Sequence, residues 1–119
     1  MTTATASGRT LAHPEPADIR LEAVLHALAD PMRMRVVRDL AREEGAEFSC
    51  SHFGLPVTKS TSTHHFRVLR ESGVIRQIYR GTAKLSALRR DDLDALFPGL
   101  LDSVLAAATH QAERLGTDA

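Results

Sequence analysis

The sequence predicts a mainly α-helical fold with a small β-hairpin, and three observations support this class. Apolar residues recur at three- and four-residue spacing, which is the period of an amphipathic helix. This pattern occupies positions 17–28, 31–44 and 98–115. Between positions 74 and 88 the apolar pattern changes its period around Arg80-Gly81-Thr82, as expected of two strands joined by a turn. Aromatic residues make up only 4% of the chain, so the predicted core is mostly aliphatic, which suits helices better than a β-sandwich.

Length and composition limit the class of protein. At 119 residues the chain is one domain by size. The single cysteine, Cys50, excludes an intramolecular disulfide and makes a reducing cytoplasm the simplest compartment. No long apolar run opens the chain, so neither a signal peptide nor a membrane span is predicted. The glycines make no phosphate-binding loop and no catalytic triad or carboxylate pair is suggested by spacing, so the chain is not predicted to be an enzyme.

A tail and a helix are predicted at the N-terminus. Residues 1–15 are rich in Thr, Ala and Ser and are predicted to be a flexible tail. Residues 16–116 are then the folded domain. A first helix is predicted from Ala17 onward, because apolar residues follow there at helical spacing. Its apolar face consists of Leu21, Val24, Leu25 and Leu28.

A second helix is predicted from Pro31 to Glu44. Asp30 is a good N-cap, and proline at the first helical position gives up no hydrogen bond that it would otherwise have made. Apolar residues are predicted to face inward and arginines outward. The inward residues are Val36, Val37 and Leu40, and the outward residues are Arg33, Arg35, Arg38 and Arg42.

The functional centre of the chain is predicted in residues 59–75. Ser60 is predicted to cap a helix here, and Ser72-Gly73 to close it, because glycine takes the left-handed conformation of a C-terminal cap. A brief helix over Ser49–Phe53 precedes it, and helix, tight turn and second helix make the helix-turn-helix plan. The predicted inward face consists of Ser62, His65, Phe66 and Leu69. The predicted outward face consists of Ser60, Thr61, Thr63, His64 and Arg67.

The outward face of this helix carries hydroxyl, imidazole and guanidinium groups, which reach phosphates and base edges in a DNA major groove. The chain has formal net charge zero, yet between Thr58 and Arg90 there are eight basic residues and one acidic residue, Glu71. A local positive excess of this kind is the electrostatic footprint of DNA binding. The predicted DNA contacts are Lys59, Ser60, Thr61, Thr63, His64, Arg67, Arg76, Arg80, Thr82 and Lys84. Two alternatives stay open: an ordinary solvated face, or a winged-helix protein-interaction module that does not bind DNA.

The hairpin after this helix is predicted to be a wing. Its tip residues Arg80, Thr82 and Lys84 would lie at the DNA backbone or in the minor groove. The alternative is a hairpin that only covers the core. The predicted fold is therefore a winged helix-turn-helix with about five helices and a two-stranded wing.

The last helix is predicted to join two copies of the chain. Residues 90–96 form a short helical turn, and Pro98 starts a long helix that is apolar along nearly its whole length. Since the earlier helices already supply a core, the first and last helices are predicted to form a twofold dimer. The alternative is a last helix that folds back onto its own domain. The predicted dimer-interface residues are Leu21, Val24, Leu101, Val104, Leu105 and Ala108.

Three motifs in order, LHALADPMRMRVVRDL, KSTSTHHFRVLRESGVI and RQIYRGTAKLSAL, closely resemble the ArsR/SmtB family of winged-helix transcriptional regulators. The resemblance covers about residues 20 to 110. It implies a homodimer that is joined through the first and last helices and binds an imperfect palindrome in a promoter. Many members of the family are repressors that release DNA when a metal ion binds.

The resemblance also points to two places for a metal ion. Members often sense metal through two cysteines on the third helix, where this chain has Cys50-Ser51-His52 with one thiol. Cys50 and His52 are soft ligands for zinc or nickel, and His13 from the tail of the partner chain could complete them. The alternative is that Cys50 is a small buried apolar residue and His52 a surface residue.

The second place is on the last helix, where members pair ligands from two chains. His110 and Glu113 match one half of that set, whereas the other half falls on Phe97 and Gly99, which cannot ligate. The alternative is a solvated His and Glu near a helix end. The predicted trigger is therefore a weakly bound metal, an organic ligand or a separate sensor protein.

Overall fold

The computed structural model describes residues 11–117. This part of the chain contains five α-helices, three strands and two short 3₁₀ turns. The helices are α1 Leu21–Leu28, α2 Pro31–Ala41, α3 Lys59–Glu71, α4 Arg90–Leu96 and α5 Leu100–Leu115. The strands are β1 Phe48–Ser49, β2 Ile75–Arg80 and β3 Ala83–Leu88, and the 3₁₀ turns are Pro16–Asp18 and Cys50–Phe53. The predicted mainly α-helical winged helix-turn-helix fold is confirmed.

Helix α1 begins later than predicted, at Leu21 rather than Ala17. Pro16–Asp18 forms a 3₁₀ turn instead, and Ile19 and Arg20 are extended. The extended backbone allows the Ile19 side chain to enter the core, where it lies against Gly73. Tertiary packing of one apolar residue therefore overrides the helical period at this end.

Helix α2 begins as predicted and ends earlier. The Asp30 Oδ2 atom accepts hydrogen bonds from the backbone N–H groups of Met32 at 2.9 Å and Arg33 at 3.0 Å. Pro31 occupies the first helical position. The helix ends at Ala41 rather than Glu44, because Gly45 turns the chain with a φ of 76°.

The core lies between α1, α2, α3 and the sheet, with α4 and the start of α5 closing one side. Its members are almost all aliphatic, as the composition predicts. They include Val24, Leu28, Val36, Val37, Leu40, Phe66, Leu69, Val74, Ile75, Leu93 and Leu101. Burying one Leu- or Ile-sized side chain contributes about 1.5–3 kcal/mol, so this cluster fixes how α3 sits on the domain.

The sheet has three strands rather than the predicted two. β2 and β3 form the antiparallel hairpin, in which Ile75 pairs with Leu88 and Arg80 with Ala83. β1 adds to the free edge of β3, so the strand order is β1-β3-β2. A two-residue strand has no visible period in the sequence, which is why β1 was not predicted. Its effect is to anchor the middle of β3 to the segment just before the 3₁₀ turn Cys50–Phe53.

The last helix also begins later than predicted. Pro98 was expected to start it, but Gly99 is the N-cap, with a left-handed φ of 80°, and the helix starts at Leu100. Among residues 11–117, no helix is long and apolar enough to cross a membrane.

Residues 11–15 contact the domain, although they were predicted as part of the tail; residues 1–10 of that tail lie outside the described residues. The His13 ring joins this segment to β2: Nε2 accepts from the Gln77 backbone N–H at 3.0 Å, and Nδ1 donates to the Leu11 carbonyl at 2.9 Å. Arg89 donates to the Pro14 carbonyl at 2.9 Å. Burial of the ring, together with the repulsion of nearby arginines, lowers the pKa of His13 despite its bond to Leu11.

Candidate nucleic-acid interface

Helix α3 starts at a threonine cap. The Thr58 Oγ1 atom accepts from the Thr61 backbone N–H at 3.2 Å. The prediction of Ser60 as the cap is therefore wrong, and Ser60 lies in the first turn with its side chain exposed. Because the helix begins at Lys59, that basic side chain belongs to the first turn as well. The free N–H groups of such a turn favour phosphate oxygens.

The inward and outward side chains of α3 are buried and exposed as predicted. His65, Phe66 and Leu69 are buried against the domain, and Ser62 is half-buried. The exposed side chains are Lys59, Ser60, Thr61, Thr63, His64 and Arg67. The six residues predicted on this helix to contact DNA thus lie together on one solvent-facing surface, which we call the α3 outer face.

The α3 helix ends in a glycine cap that leads directly into the wing. The Val74 N–H donates to the Leu69 carbonyl at 3.0 Å and the Gly73 N–H to the Arg70 carbonyl at 3.1 Å, which is the Schellman arrangement. Gly73 has a φ of 90°, as the sequence predicted for a C-terminal cap. The helix and the wing are therefore joined without a flexible linker.

A polar chain also ties α3 to the sheet. Arg70 donates to the Gln77 side-chain oxygen at 2.7 Å, and Gln77 donates in turn to Ser86 at 3.2 Å. Gln77 and Ser86 are buried and directly opposed across β2 and β3. This connection is not among the predicted features, although the polar residues at inward positions of both strands are a visible signal in the sequence.

The wing presents basic groups at its tip and, in Arg76, near its base. Arg76, Arg80 and Thr82 are exposed, while Lys84 is half-buried with its ammonium 5.9 Å from the centre of the Tyr79 ring. Arg80 pairs with Glu47 at 3.2 Å, so a phosphate would have to compete with this carboxylate. An exposed ion pair contributes only about 0–1 kcal/mol, which makes that exchange inexpensive.

Arg33 is placed differently from its prediction. It was expected on the outer face of α2, but its exposed fraction is 7%. Its guanidinium donates to the Ala27 carbonyl at 2.7 Å, to the His26 carbonyl at 3.3 Å and to His65 Nδ1 at 3.1 Å. The predicted positions of Arg35, Arg38 and Arg42 are compatible with the structure, where they are half-buried or exposed.

Asp30 adds a negative charge to this buried group. Its Oδ2 lies 3.9 Å from His65 Nδ1. Partial burial acts to raise the pKa of Asp30, but the bond from the Arg33 N–H, the charge of the Arg33 guanidinium and the bond from the Met32 N–H leave that pKa lowered. The carboxylate is thus held in its charged form at the base of α3.

The residues predicted for the dimer interface fall into two groups. Val24 and Leu101 are 1% and 3% exposed and belong to the core of a single chain, so their side chains leave almost no surface for a partner chain to contact. Leu21 is 43% exposed, and Val104, Leu105 and Ala108 are partly exposed. The sequence pattern identifies apolar residues, but it does not show whether they are buried within their own chain or against a partner chain.

The residues predicted to bind metal do not form a complete site within this chain. Among residues 11–117, no three His, Cys, Asp or Glu side chains are grouped so that they could hold a metal ion. His52 stacks on Phe48 with ring centres 3.8 Å apart, and burial raises the pKa of the half-buried Cys50 thiol. His110 and Glu113 are exposed on α5. His13, considered as a ligand from a partner chain, has both ring nitrogens bonded within its own chain.

Comparisons with known proteins agree with this architecture. Residues 28–78 match the model of a helix-turn-helix domain family. The chain is 31% identical over 83 residues to the uncharacterised HTH-type transcriptional regulator YceK of Bacillus subtilis (strain 168), a match that covers 68% of this chain and 82% of that protein.

Solved structures show the same fold. A crystal structure of an ArsR family transcriptional regulator aligns with a TM-score of 0.57 at 24% identity, covering 78% of this chain and 96% of the other. An ArsR-like transcriptional regulator from Rhodococcus sp. RHA1 aligns with a TM-score of 0.55 at 21% identity, and the alignment covers 81% of this chain and 86% of the other. The transcriptional repressor BigR from Xylella fastidiosa aligns with a TM-score of 0.51 at 22% identity, and the alignment covers 65% of this chain and 85% of the other.

Proposed function

We propose that this chain, which belongs to the ArsR/SmtB family of winged helix-turn-helix transcriptional regulators, binds a palindromic operator in the cytoplasm as a homodimer and reads it with α3. Family membership makes it a DNA-binding transcription regulator rather than an enzyme. The observation that supports operator reading by α3 is the difference between the two sides of this helix. Its inner side is buried in the core, whereas the α3 outer face presents only polar and basic groups.

The dimensions of α3 suit a major groove. Its 13 residues span about 20 Å at 1.5 Å per residue, and a helix about 10–12 Å across enters a groove about 12 Å wide. Thr63, His64 and Arg67 are proposed to read base edges, with Arg67 suited to the paired acceptors of guanine. Lys59, Ser60 and Thr61, in the first turn, are proposed to hold phosphates.

The wing is proposed to contact the DNA beside the groove. Arg76, Arg80, Thr82 and Lys84 lie on or next to the hairpin that follows α3. Arginine and lysine side chains at such a position bind the backbone or the minor groove. These contacts would add affinity for every sequence rather than choose among sequences.

The dimer is proposed to form through α1 and α5. Leu21 and Leu25 on α1 are 43% and 44% exposed, and Leu115 on α5 is 61% exposed. Apolar side chains exposed together on two helices favour burial against another chain. A twofold arrangement would place the two α3 helices about one turn of DNA, 34–36 Å, apart.

The dimer proposal is tested by sedimentation of the wild type and a Leu25→Glu variant. The wild type is expected to sediment as a dimer, and the variant, which places a charge in the proposed interface, as a monomer with weaker operator binding. Glu44→Gln, at an exposed position in the turn after α2 and outside α1 and α5, is the control and should leave the dimer intact. A monomeric wild type with full operator affinity would contradict the proposal.

For the trigger we propose either a transition metal, nickel or zinc, or a separate sensor protein. Cys50 with His52 and His110 with Glu113 each supply two potential ligands, and zinc usually takes four. A metal site would therefore need ligands from both chains of the dimer. Titration of operator binding with each divalent metal tests this, and a Cys50→Ser variant should lose any change of tenfold or more if the first pair is used.

Operator binding itself is tested on the chain's own promoter region. Fluorescence anisotropy should show affinity for one promoter fragment well above that for random duplex of the same length, and footprinting should show two protected half-sites. A winged-helix module that binds only proteins would show no salt-dependent affinity for either duplex.

A further inference from the structure

A polar group lies buried where most helical domains place apolar side chains, directly beneath α3. Arg33 and His65 are 7% and 8% exposed. The Arg33 Nε donates to the Ala27 carbonyl at 2.7 Å, and its two terminal nitrogens donate to His65 Nδ1 at 3.1 Å and to the His26 carbonyl at 3.3 Å. One guanidinium therefore connects the end of α1, the start of α2 and the middle of α3.

The direction of the bond between Arg33 and His65 is fixed by chemistry. A guanidinium has only donors, so His65 Nδ1 must be the acceptor and the proton of the neutral ring lies on Nε2. The Asp30 carboxylate lies beside this group, with its Oδ2 3.9 Å from His65 Nδ1. The same oxygen caps α2 through the backbone N–H groups of Met32 and Arg33.

The position of His65 in the helix links this group to the DNA-facing surface. His64 and Arg67, one residue before and two residues after His65, are exposed on the outer face. Apolar contacts such as those of Phe66 and Leu69 are non-directional, whereas a hydrogen bond weakens steeply when its angle is lost. The bond from Arg33 therefore adds an orientation-dependent restraint on the rotation of α3 to the apolar contacts beside it.

We propose that Arg33 and His65 are positioning residues for DNA reading: their hydrogen bond sets the rotation of α3, and so the direction in which His64 and Arg67 project into the groove. Neither side chain touches DNA, because both are buried. The inference rests on the proposed function of α3 as the reading helix.

The test compares two replacements of His65 in the full-length protein. His65→Asn places a carboxamide oxygen close to the position of Nδ1 and keeps an acceptor for Arg33. His65→Leu keeps an apolar volume but leaves a buried donor without a partner. We expect His65→Leu to weaken operator binding by about tenfold or more, equivalent to about 1.4 kcal/mol, and His65→Asn to stay within about threefold of the wild type.

Affinity for random duplex separates positioning from general damage. Contacts to phosphates tolerate a small rotation of α3 better than contacts to base edges do, so random-duplex affinity should change by less than about twofold in both variants. All measurements are made at a temperature where circular dichroism shows each variant folded. Equal losses on both duplexes, or equal losses in the Asn and Leu variants, would overturn the proposal.

Two further measurements keep the test decisive. If His65→Leu does not fold, His65→Gln replaces it, because its acceptor lies one bond further out and should fail where Asn succeeds; equal operator affinity of Asn and Gln would count against the proposal. In the wild type, nitrogen NMR of the His65 ring should show Nδ1 without a proton, and a proton on Nδ1 would refute the bond. A wild type that does not prefer its operator would instead refute the proposed function, while the NMR result still reports on the bond.

Discussion

Replacing Gly73 with alanine should be among the most destabilising single changes at the junction between α3 and the wing. Two separate costs arise. The backbone at Gly73 has a φ of 90°, and a residue with a Cβ loses about 1–2 kcal/mol in the left-handed region. The new Cβ would also lie 2.6 Å from Cγ1 and 2.7 Å from Cδ1 of Ile19, which is far inside van der Waals contact.

The steric cost can be estimated from the packing of Ile19. Its side chain is buried and branched at Cβ, so it cannot turn away freely. Overpacking of a core by one methyl costs about 1–3 kcal/mol. The two costs add to about 2–5 kcal/mol, a large part of the about 5–15 kcal/mol that stabilises a domain. Urea unfolding of the wild type and the variant measures the difference in the free energy of unfolding, provided that this free energy depends equally steeply on urea concentration in both proteins.

Gly99→Ala is the matched control. Gly99 has a φ of 80°, and nothing lies within 4 Å of an added Cβ, so this variant should lose only the backbone cost of about 1–2 kcal/mol. In an Ile19→Ala background, Gly73→Ala should likewise lose only about that amount. If Gly73→Ala costs no more than Gly99→Ala, the close contact between Ile19 and Gly73 does not hold the N-terminal segment as described.

Three other predictions test the wing, the N-terminal segment and the helix cap. Arg80→Ala should lower DNA affinity for all sequences alike and reduce the slope of log affinity against log salt by about 1; an unchanged slope in a salt titration would exclude the wing contact. The folded state lowers the pKa of His13 below its ordinary 6.5. Below about pH 6.5 the unfolded chain therefore binds more protons than the folded chain does. The free energy of unfolding is then full above about pH 6.5 and declines as the pH falls below it. A His13→Asn variant should lose that decline in urea unfolding at successive pH values, and an identical pH profile would contradict the burial of a neutral His13 ring against β2. Thr58→Ala should cost about 0.5–2 kcal/mol in unfolding free energy, whereas Ser60→Ala should be close to neutral; the reverse order would restore Ser60 as the cap.

Much of the fold follows from local signals in the sequence. Asp30-Pro31 starts α2 and Gly73 ends α3 as predicted, because a cap needs only neighbouring backbone groups. The inward and outward faces of α3 also follow, since helical period and burial agree there. These are the places where local preference and the tertiary structure point to the same answer.

The remaining features depend on partners that are distant in sequence. Arg33 is buried because carbonyls at the end of α1 and His65 on α3 satisfy its donors, and the spacing of α2 gives no sign of this. His13 is bonded to Gln77, 64 residues away. Val24 and Leu101 are apolar as the pattern shows, yet the pattern does not distinguish the core of one chain from the surface between two.

The central claim, that the outer face of α3 reads DNA, is tested most directly by Arg67→Ala. Arg67 is exposed in the middle of that face, and losing a base contact there should weaken operator binding by about 1–3 kcal/mol and relax the preference for operator over random duplex. Arg42→Ala, which removes an exposed arginine just after α2, is the control and should bind as the wild type does. Anisotropy titrations of both variants against both duplexes give the result. Unchanged operator affinity for Arg67→Ala, or an equal loss in Arg42→Ala, would contradict the claim that α3 reads the operator.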